Sequence, residues 1–210
     1  MRVWSMISGI ALGACSVVGI RSGTEQPPYQ VVTHVGPVEV RHYAARIAAE
    51  TVVPGGEEDS RSAGFRRLAG YIFGANHARA EIAMTAPVAQ ANARSETIAM
   101  TAPVAQAVGS SGNWQIRFFM PAKYTLEKLP TPDDPTVKLV SVPPETMAVY
   151  RFSGSTGAAS IAEARRVLLS RLDGSGWKAL AEPVAWFYDP PWTLPPLRRN
   201  EVAVPVERAS

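Results

Sequence analysis

The sequence predicts an α+β domain, an antiparallel and barrel-like sheet with a helix on each side. Three observations carry that expectation. Short segments of alternating apolar and polar residues are separated by Gly- and Pro-rich turns, the signature of strands. Two longer segments place apolar residues at helical spacing. A faint repeat spans the chain: Val35-Gly36-Pro37 with Val40 and Tyr43 matches Val142-Pro143-Pro144 with Met147 and Tyr150. In each half a further strand or loop and then a helix follow, so two related halves pair their sheets in a pseudo-twofold arrangement.

The elements follow in chain order. Val31-Val32 and Val38–Tyr43 flank Gly36-Pro37, a turn pair. In the second segment Val38, Val40 and His42 share one face, and Glu39, Arg41 and Tyr43 the other. A strand over Arg46–Val53 ends at Pro54-Gly55-Gly56. Asp59-Ser60 then caps a helix whose stripe is Phe65, Leu68, Ala69 and Ile72, with Gly74 at its stop. Trp114–Met120, Lys138–Val142 and Thr146–Phe152 are strand-like. Ser160 and Glu163 form a capping box for a second helix, with the stripe Ile161, Ala164, Leu168 and Leu172 and Gly174 after it. Val184–Tyr188 and Glu201–Val206 read as closing strands.

A second, local repeat is identical over nine residues: IAMTAPVAQ at Ile82–Gln90 and at Ile98–Gln106. Two copies of so short a unit cannot build a solenoid. They fit two adjacent antiparallel strands, or one strand with a duplicated loop. Pro190-Pro191-Trp192 and Pro195-Pro196 exclude a central strand and read as a rigid loop. Arg198 and Arg199 follow, placed to hold that loop through carboxylate or carbonyl contacts.

Composition removes several function classes. Hydrophobic residues at 46% and charged residues at 19% exclude a disordered chain. The net charge of +3 comes from dispersed basic residues, unlike the concentrated stripe of a nucleic-acid binder. A single cysteine, Cys15, excludes an internal disulfide. There is no G-x-S-x-G elbow and no phosphate loop. A carboxylate from Glu39, Glu50 or Glu145, beside Tyr43 or Tyr150, is the remaining route to an enzyme. His34, His42 and His77 lack the mutual spacing of a metal site. Met84 and Met100 fill core gaps more readily than they ligate.

The N-terminus reads as an address. Met1-Arg2, the apolar stretch Val3–Leu12 and then Leu12-Gly13-Ala14-Cys15 follow the order of a secretory signal. The apolar core is shorter than the ~18 to 20 residues a membrane span needs. The tetrapeptide ending in Cys15 resembles a bacterial lipobox, which implies cleavage before Cys15 and lipidation of its sulfur. Acyl chains would then anchor the protein at a membrane. A plain secretory signal, or a buried N-terminal strand, are the alternatives. The resulting division is a signal peptide over 1–14, a lipidated Cys15 with a polar tether to residue 28, and a folded domain over 29–207.

The strings IAMTAPV, FFMPAKYTLEKLPTPDDP (Phe118–Pro135), YRFSG (Tyr150–Gly154) and YDPPWTLPPLRRNEV (Tyr188–Val202) resemble the SOUL haem-binding protein family, from about Tyr29 to Val206. The resemblance implies a distorted antiparallel barrel with two flanking helices, similar to bacterial effector-binding domains. It implies non-catalytic binding of haem, b-type and non-covalent, or of another tetrapyrrole. With the lipobox it implies a lipoprotein of the bacterial envelope, facing the periplasm, that serves transport, buffering or sensing. The binding cleft implied lies beside the first helix, where this chain supplies Phe65, Leu68, Tyr71 and Ile72 for the macrocycle and Arg66 and Arg67 for the propionates. His42 is a candidate axial ligand. Binding of another apolar small molecule is the alternative, and hydrolysis by a barrel carboxylate a weaker one. No nucleic-acid partner is expected.

Overall fold

The computed structural model describes residues 24–77, 95–109, 112–190 and 192–209. The signal segment, Cys15, and the first IAMTAPVAQ copy with Met84 lie outside the described residues. In chain order the elements are β1 (Tyr29–Val35), β2 (Val38–Tyr43), β3 (Arg46–Val53), α1 (Glu57–Ile72), β4 (Asn76–His77), β5 (Val104–Val108), β6 (Trp114–Phe119), β7 (Thr131–Pro132), β8 (Lys138–Val142), β9 (Glu145–Phe152), α2 (Ala158–Leu172), β10 (Trp177–Ala179), β11 (Val184–Phe187) and β12 (Asn200–Arg208). A 3-10 turn occupies Pro195–Leu197. The α+β class expected from the sequence is the one found, and the chain divides into two units.

The first unit comprises Tyr29–His42 and the chain from Thr146 onward. Its strands run in the order β1-β2-β9-β12-β11, with β10 also on β12. Gly36, at φ +56°, makes the turn from β1 to β2 in a conformation that a residue with a Cβ disfavours. Val38 and Val40 of β2 and Val202, Val204 and Val206 of β12 point to one face. There they meet Ile161, Ala164, Leu168 and Leu172 of α2, the stripe read from the sequence.

The capping box on α2 is not formed. The helix starts at Ala158 with Gly157 as N-cap, which leaves Ser160 inside the first turn. Glu163 therefore cannot reach back, and it pairs with Arg166 at 2.6 and 2.8 Å.

The second unit comprises Glu25–Pro28 and Tyr43–Glu145. Its strands run β5-β6-β3-β8, all antiparallel, and β4 pairs β7. α1 covers one face of this sheet. Leu68, Tyr71 and Ile72 pack with Ala49, Ile116 and Phe118.

α1 begins earlier than Asp59-Ser60. Gly56 is its N-cap, and Glu57, Glu58 and Asp59 fill the first turn, where carboxylates complement the helix dipole. Ser60 is buried and donates to the Pro54 carbonyl at 3.2 Å. The buried stripe is also turned from the one expected, to Ser60, Gly64, Leu68, Tyr71 and Ile72. Gly64 explains the turn. A Cβ there would stand 2.8 Å from Ile116 Cβ and closer still to its Cγ1. The missing side chain lets the helix seat on β6, and Phe65 is rotated to the edge.

The second IAMTAPVAQ copy is half loop and half strand. Ile98 is buried, Thr101 donates its hydroxyl to the Phe119 carbonyl, and β5 begins at Val104. The last residues of the expected tether dock in the same unit. The Ala102 amide donates to the Glu25 carbonyl at 3.0 Å, and the Ala122 amide to Glu25 Oε1 at 2.7 Å.

Candidate functional site

Six of the residues implied for the ligand lie on α1, and the helix sorts them by face. Leu68, Tyr71 and Ile72 belong to the core, at 1% exposure or less. Tyr71 also donates its hydroxyl to the Pro130 carbonyl at 3.0 Å. As packed, these three offer a ligand almost no surface. Phe65 is 36% exposed and meets the Phe118 ring edge-on, with centroids 5.3 Å apart. Phe73, just past the helix, is 60% exposed. Arg66 is exposed. Arg67 is half-buried and reaches toward β3 with long contacts, 3.5 Å to Thr51 Oγ1 and 3.4 Å to the Val52 carbonyl. The open side of α1 therefore carries exposed aromatic surface beside two guanidinium groups.

Two of the histidines have partners of their own. His42 belongs to the first unit. It is exposed, with Nδ1 3.2 Å from Thr146 Oγ1. His77 Nδ1 lies 2.8 Å from Asp133 Oδ1, both groups about half exposed. Among the described residues no cluster of His, Cys, Asp or Glu has the makings of a metal site.

The carboxylates considered for catalysis are each held by an arginine. Glu39 accepts from Arg41 Nε at 2.8 Å, Glu50 from Arg117 Nε at 2.6 Å, and Glu145 from Arg46.

The sequence reading missed a larger network in the first unit. Glu201 is 0% exposed. It accepts from Arg41 Nη1 and Nη2 at 2.9 and 3.2 Å, from Arg199 Nε and Nη2 at 3.1 and 2.8 Å, and from the Tyr188 hydroxyl at 2.6 Å. Arg41 stacks over Tyr29 at 4.4 Å and Arg199 over Tyr188 at 3.9 Å. Burial alone would raise the Glu201 pKa, but Arg41, Arg199 and Tyr188 outweigh it and hold the carboxyl below its ordinary range. The available signal was the alternation of β2 and β12, which puts Arg41 and Glu201 on the faces opposite Val40 and Val202.

The second unit also holds a cleft of about 390 Å³, away from the α1 stripe. Its walls include Pro27, Pro28, Ala45, Ile47, Phe119 and Met120. Arg46 lines it, stacked on Tyr43 at 4.4 Å and Phe119 at 4.5 Å. Burial pulls the Arg46 pKa below its ordinary value against the opposing pull of Glu145. Tyr124, also on the wall, is pushed up to about 12 by burial and by its 2.7 Å hydrogen bond to Glu96.

Comparison with known proteins follows the same lines. The sequence profile of a family described as SOUL heme-binding protein matches residues 24–205. Among curated proteins none matches the sequence. The fold is similar to the EcmrR C-terminal domain, at 12% identity and a TM-score of 0.52 over 86% of this chain and 99% of that one. It is similar to a protein from Listeria innocua described as a hydrolase, at 13% identity and a TM-score of 0.50 over 81% of this chain and 91% of that one. An uncharacterized conserved protein from Listeria innocua aligns at 11% identity with a TM-score of 0.51, over 89% of this chain and 94% of that one. At such identities the likeness extends to fold alone.

Proposed function

The chain belongs to the SOUL heme-binding protein family, and on that premise we propose that it binds haem or a related tetrapyrrole, non-covalently and without transforming it. The family match across residues 24–205 is the observation that carries the reading. The surface proposed is the open side of α1. Phe65 offers an exposed ring to a flat macrocycle, and Arg66 and Arg67 offer charge to two propionates. The 390 Å³ cleft suits this ligand less well. It lies low in the size range of small-molecule sites, and Glu25 on its wall opposes a dianion. Bound haem would supply redox and ligand-exchange chemistry. The chain's own residues would position it and shield part of its face.

The cellular reading rests on the N-terminal segment. We propose an envelope protein anchored through acyl chains on Cys15, handling tetrapyrrole for transport, buffering or sensing. The lipobox-like Leu12-Gly13-Ala14-Cys15 supports it. Labelling of expressing cells with a palmitate analogue, lost in Cys15→Ser, tests it.

Titration of the full chain with haemin and with protoporphyrin IX tests the binding. The expected result is a Soret shift that saturates at one equivalent, with closely similar affinity for the two pigments because no axial ligand is assigned. Arg66→Glu with Arg67→Glu should weaken both by about 5- to 10-fold, the scale of two exposed ion pairs. Absence of a saturable shift would overturn the proposal.

A further inference from the structure

The slot that holds the second IAMTAPVAQ copy is filled by side chains that the first copy carries as well. Its buried residues include Ile98, Thr101, Ala102, Ala105 and Gln106, each 7% exposed or less. Thr101 donates its hydroxyl to the Phe119 carbonyl, Gln106 Nε2 donates to the Glu57 carbonyl at 2.7 Å, and the Ala102 amide donates to the Glu25 carbonyl at 3.0 Å. From Val104 the copy pairs with β6. Ile82, Thr85, Ala86, Ala89 and Gln90 repeat those side chains at the same spacing, and the identity runs on through Ala91 and Ala107. One slot is thus matched by two segments of the chain.

Connectivity permits either to enter. The Ile98 amide donates to the Ile72 carbonyl at 2.7 Å. Asn76 brackets Glu96, with Nδ2 donating to its carbonyl at 2.8 Å and Oδ1 accepting from its amide at 2.9 Å. The chain therefore enters the slot running back along 72–76. With the first copy seated, Ala80 takes the place of Glu96 and Ile82 that of Ile98. His77, Ala78 and Arg79 then join Asn76 to Ala80, the length of a three-residue hairpin loop. The residues released there lengthen the connection to β6, and the cost of closing a loop grows only slowly with its length.

The flanks break the tie. Glu96 accepts from the Tyr124 hydroxyl at 2.7 Å, and Val108 pairs opposite Trp114. The first copy has Ala80 and Asn92 at those positions, a methyl group that accepts nothing and a residue disfavoured in strands. The contacts inside the slot do not distinguish the copies. We propose that the two copies are alternative occupants of this one slot, so that the chain exchanges between two registers sixteen residues apart, from Ile98 to Ile82. The long connection follows Asn76 in one register and precedes Trp114 in the other. The exchange is independent of any ligand.

Aspartate substitutions on the full chain test it. Ile98→Asp puts an unpaired carboxylate at a position with no exposure, unless the first copy takes over the slot. Ile82→Asp alone is expected to leave the urea midpoint unchanged. Ile98→Asp should lower it by less than about 1 M, and the double variant by about 2 M or more, a strong departure from additivity. Hydrogen exchange read by mass spectrometry should show amide protection in Ile98→Asp passing from 98–107 to 82–91, with the protein monomeric by analytical ultracentrifugation. Equal midpoints for Ile98→Asp and the double variant, a marked loss in Ile82→Asp alone, or no gain of protection over 82–91 would overturn the exchange. Protection gained only in a dimer would place the first copy in another molecule's slot, and would overturn exchange within one chain.

Discussion

Glu201 shows how much a single residue commits in this fold. A carboxylate with no exposure is tolerated because Arg41, Arg199 and Tyr188 supply hydrogen bonds to both of its oxygens. Glu201→Gln removes the charge while keeping the shape, and leaves two largely buried guanidinium groups undercompensated. The expected loss is about 3 to 5 kcal/mol, the cost of breaking a buried pair from one side, read as a lower urea midpoint. The same group sets an acid limit. Its folded pKa lies below the ordinary glutamate value, so the unfolded chain binds the proton more readily and stability falls as pH falls. The urea midpoint should hold from pH 7 to about 5.5 and decline below about 4.5, near the ordinary glutamate pKa. The decline should be shallower in Glu201→Gln. An unchanged slope in that variant would remove Glu201 from the account.

The fit of α1 on its sheet turns on an absence of side chain. A glycine inside a helix costs about 1 kcal/mol relative to alanine, so Gly64 needs a reason, and Ile116 supplies it. The approach of Ile116 to the Gly64 backbone leaves no room for a methyl group. Ile116 itself is 0% exposed, on a strand flanked by β3 and β5, and has little freedom to retreat. Gly64→Ala should therefore destabilise by about 1 to 3 kcal/mol through overpacking, despite its better helix propensity. Adding Ile116→Ala should make the double variant more stable than the sum of the two single losses predicts. Thermal denaturation of the four proteins measures this, and simple additivity would show that the helix adjusts elsewhere. The same contact explains why Phe65 left the buried stripe and stands where an incoming ring can reach it.

At the scale of the whole molecule the net charge of +3 is slight, so attraction of an anionic pigment has to be local. Haemin affinity should fall several-fold between 50 mM and 500 mM NaCl, because exposed guanidinium groups such as Arg66 are screened within a Debye length of roughly 4 to 14 Å over that range. The Arg66→Glu, Arg67→Glu variant should lose that salt dependence. A salt response retained in the variant would move the propionate contacts elsewhere.

Alternation and helical spacing made most elements legible. β3 and β8 match the segments read from the sequence, and the α2 stripe is buried as spaced. Those patterns are local, since a strand or helix face is written within about ten residues. Family membership was legible for a related reason, because long strings such as FFMPAKYTLEKLPTPDDP are contiguous. The short pairings β4–β7 and β10–β12 and both helix starts were not. A two- or three-residue strand has no period of its own, and a glycine N-cap gives no side-chain signal. Burial of Glu201, the cleft around Arg46 and the rotation of α1 all depend on residues far apart in the chain. Glu201 is 160 positions from Arg41, and Gly64 meets Ile116 from a different element. The sequence alone determined the class of fold, its family and the kinds of side chain available. Which side chains face solvent and which charges are already spent on one another were decided only by tertiary packing, because those properties belong to neighbours that the chain order does not specify.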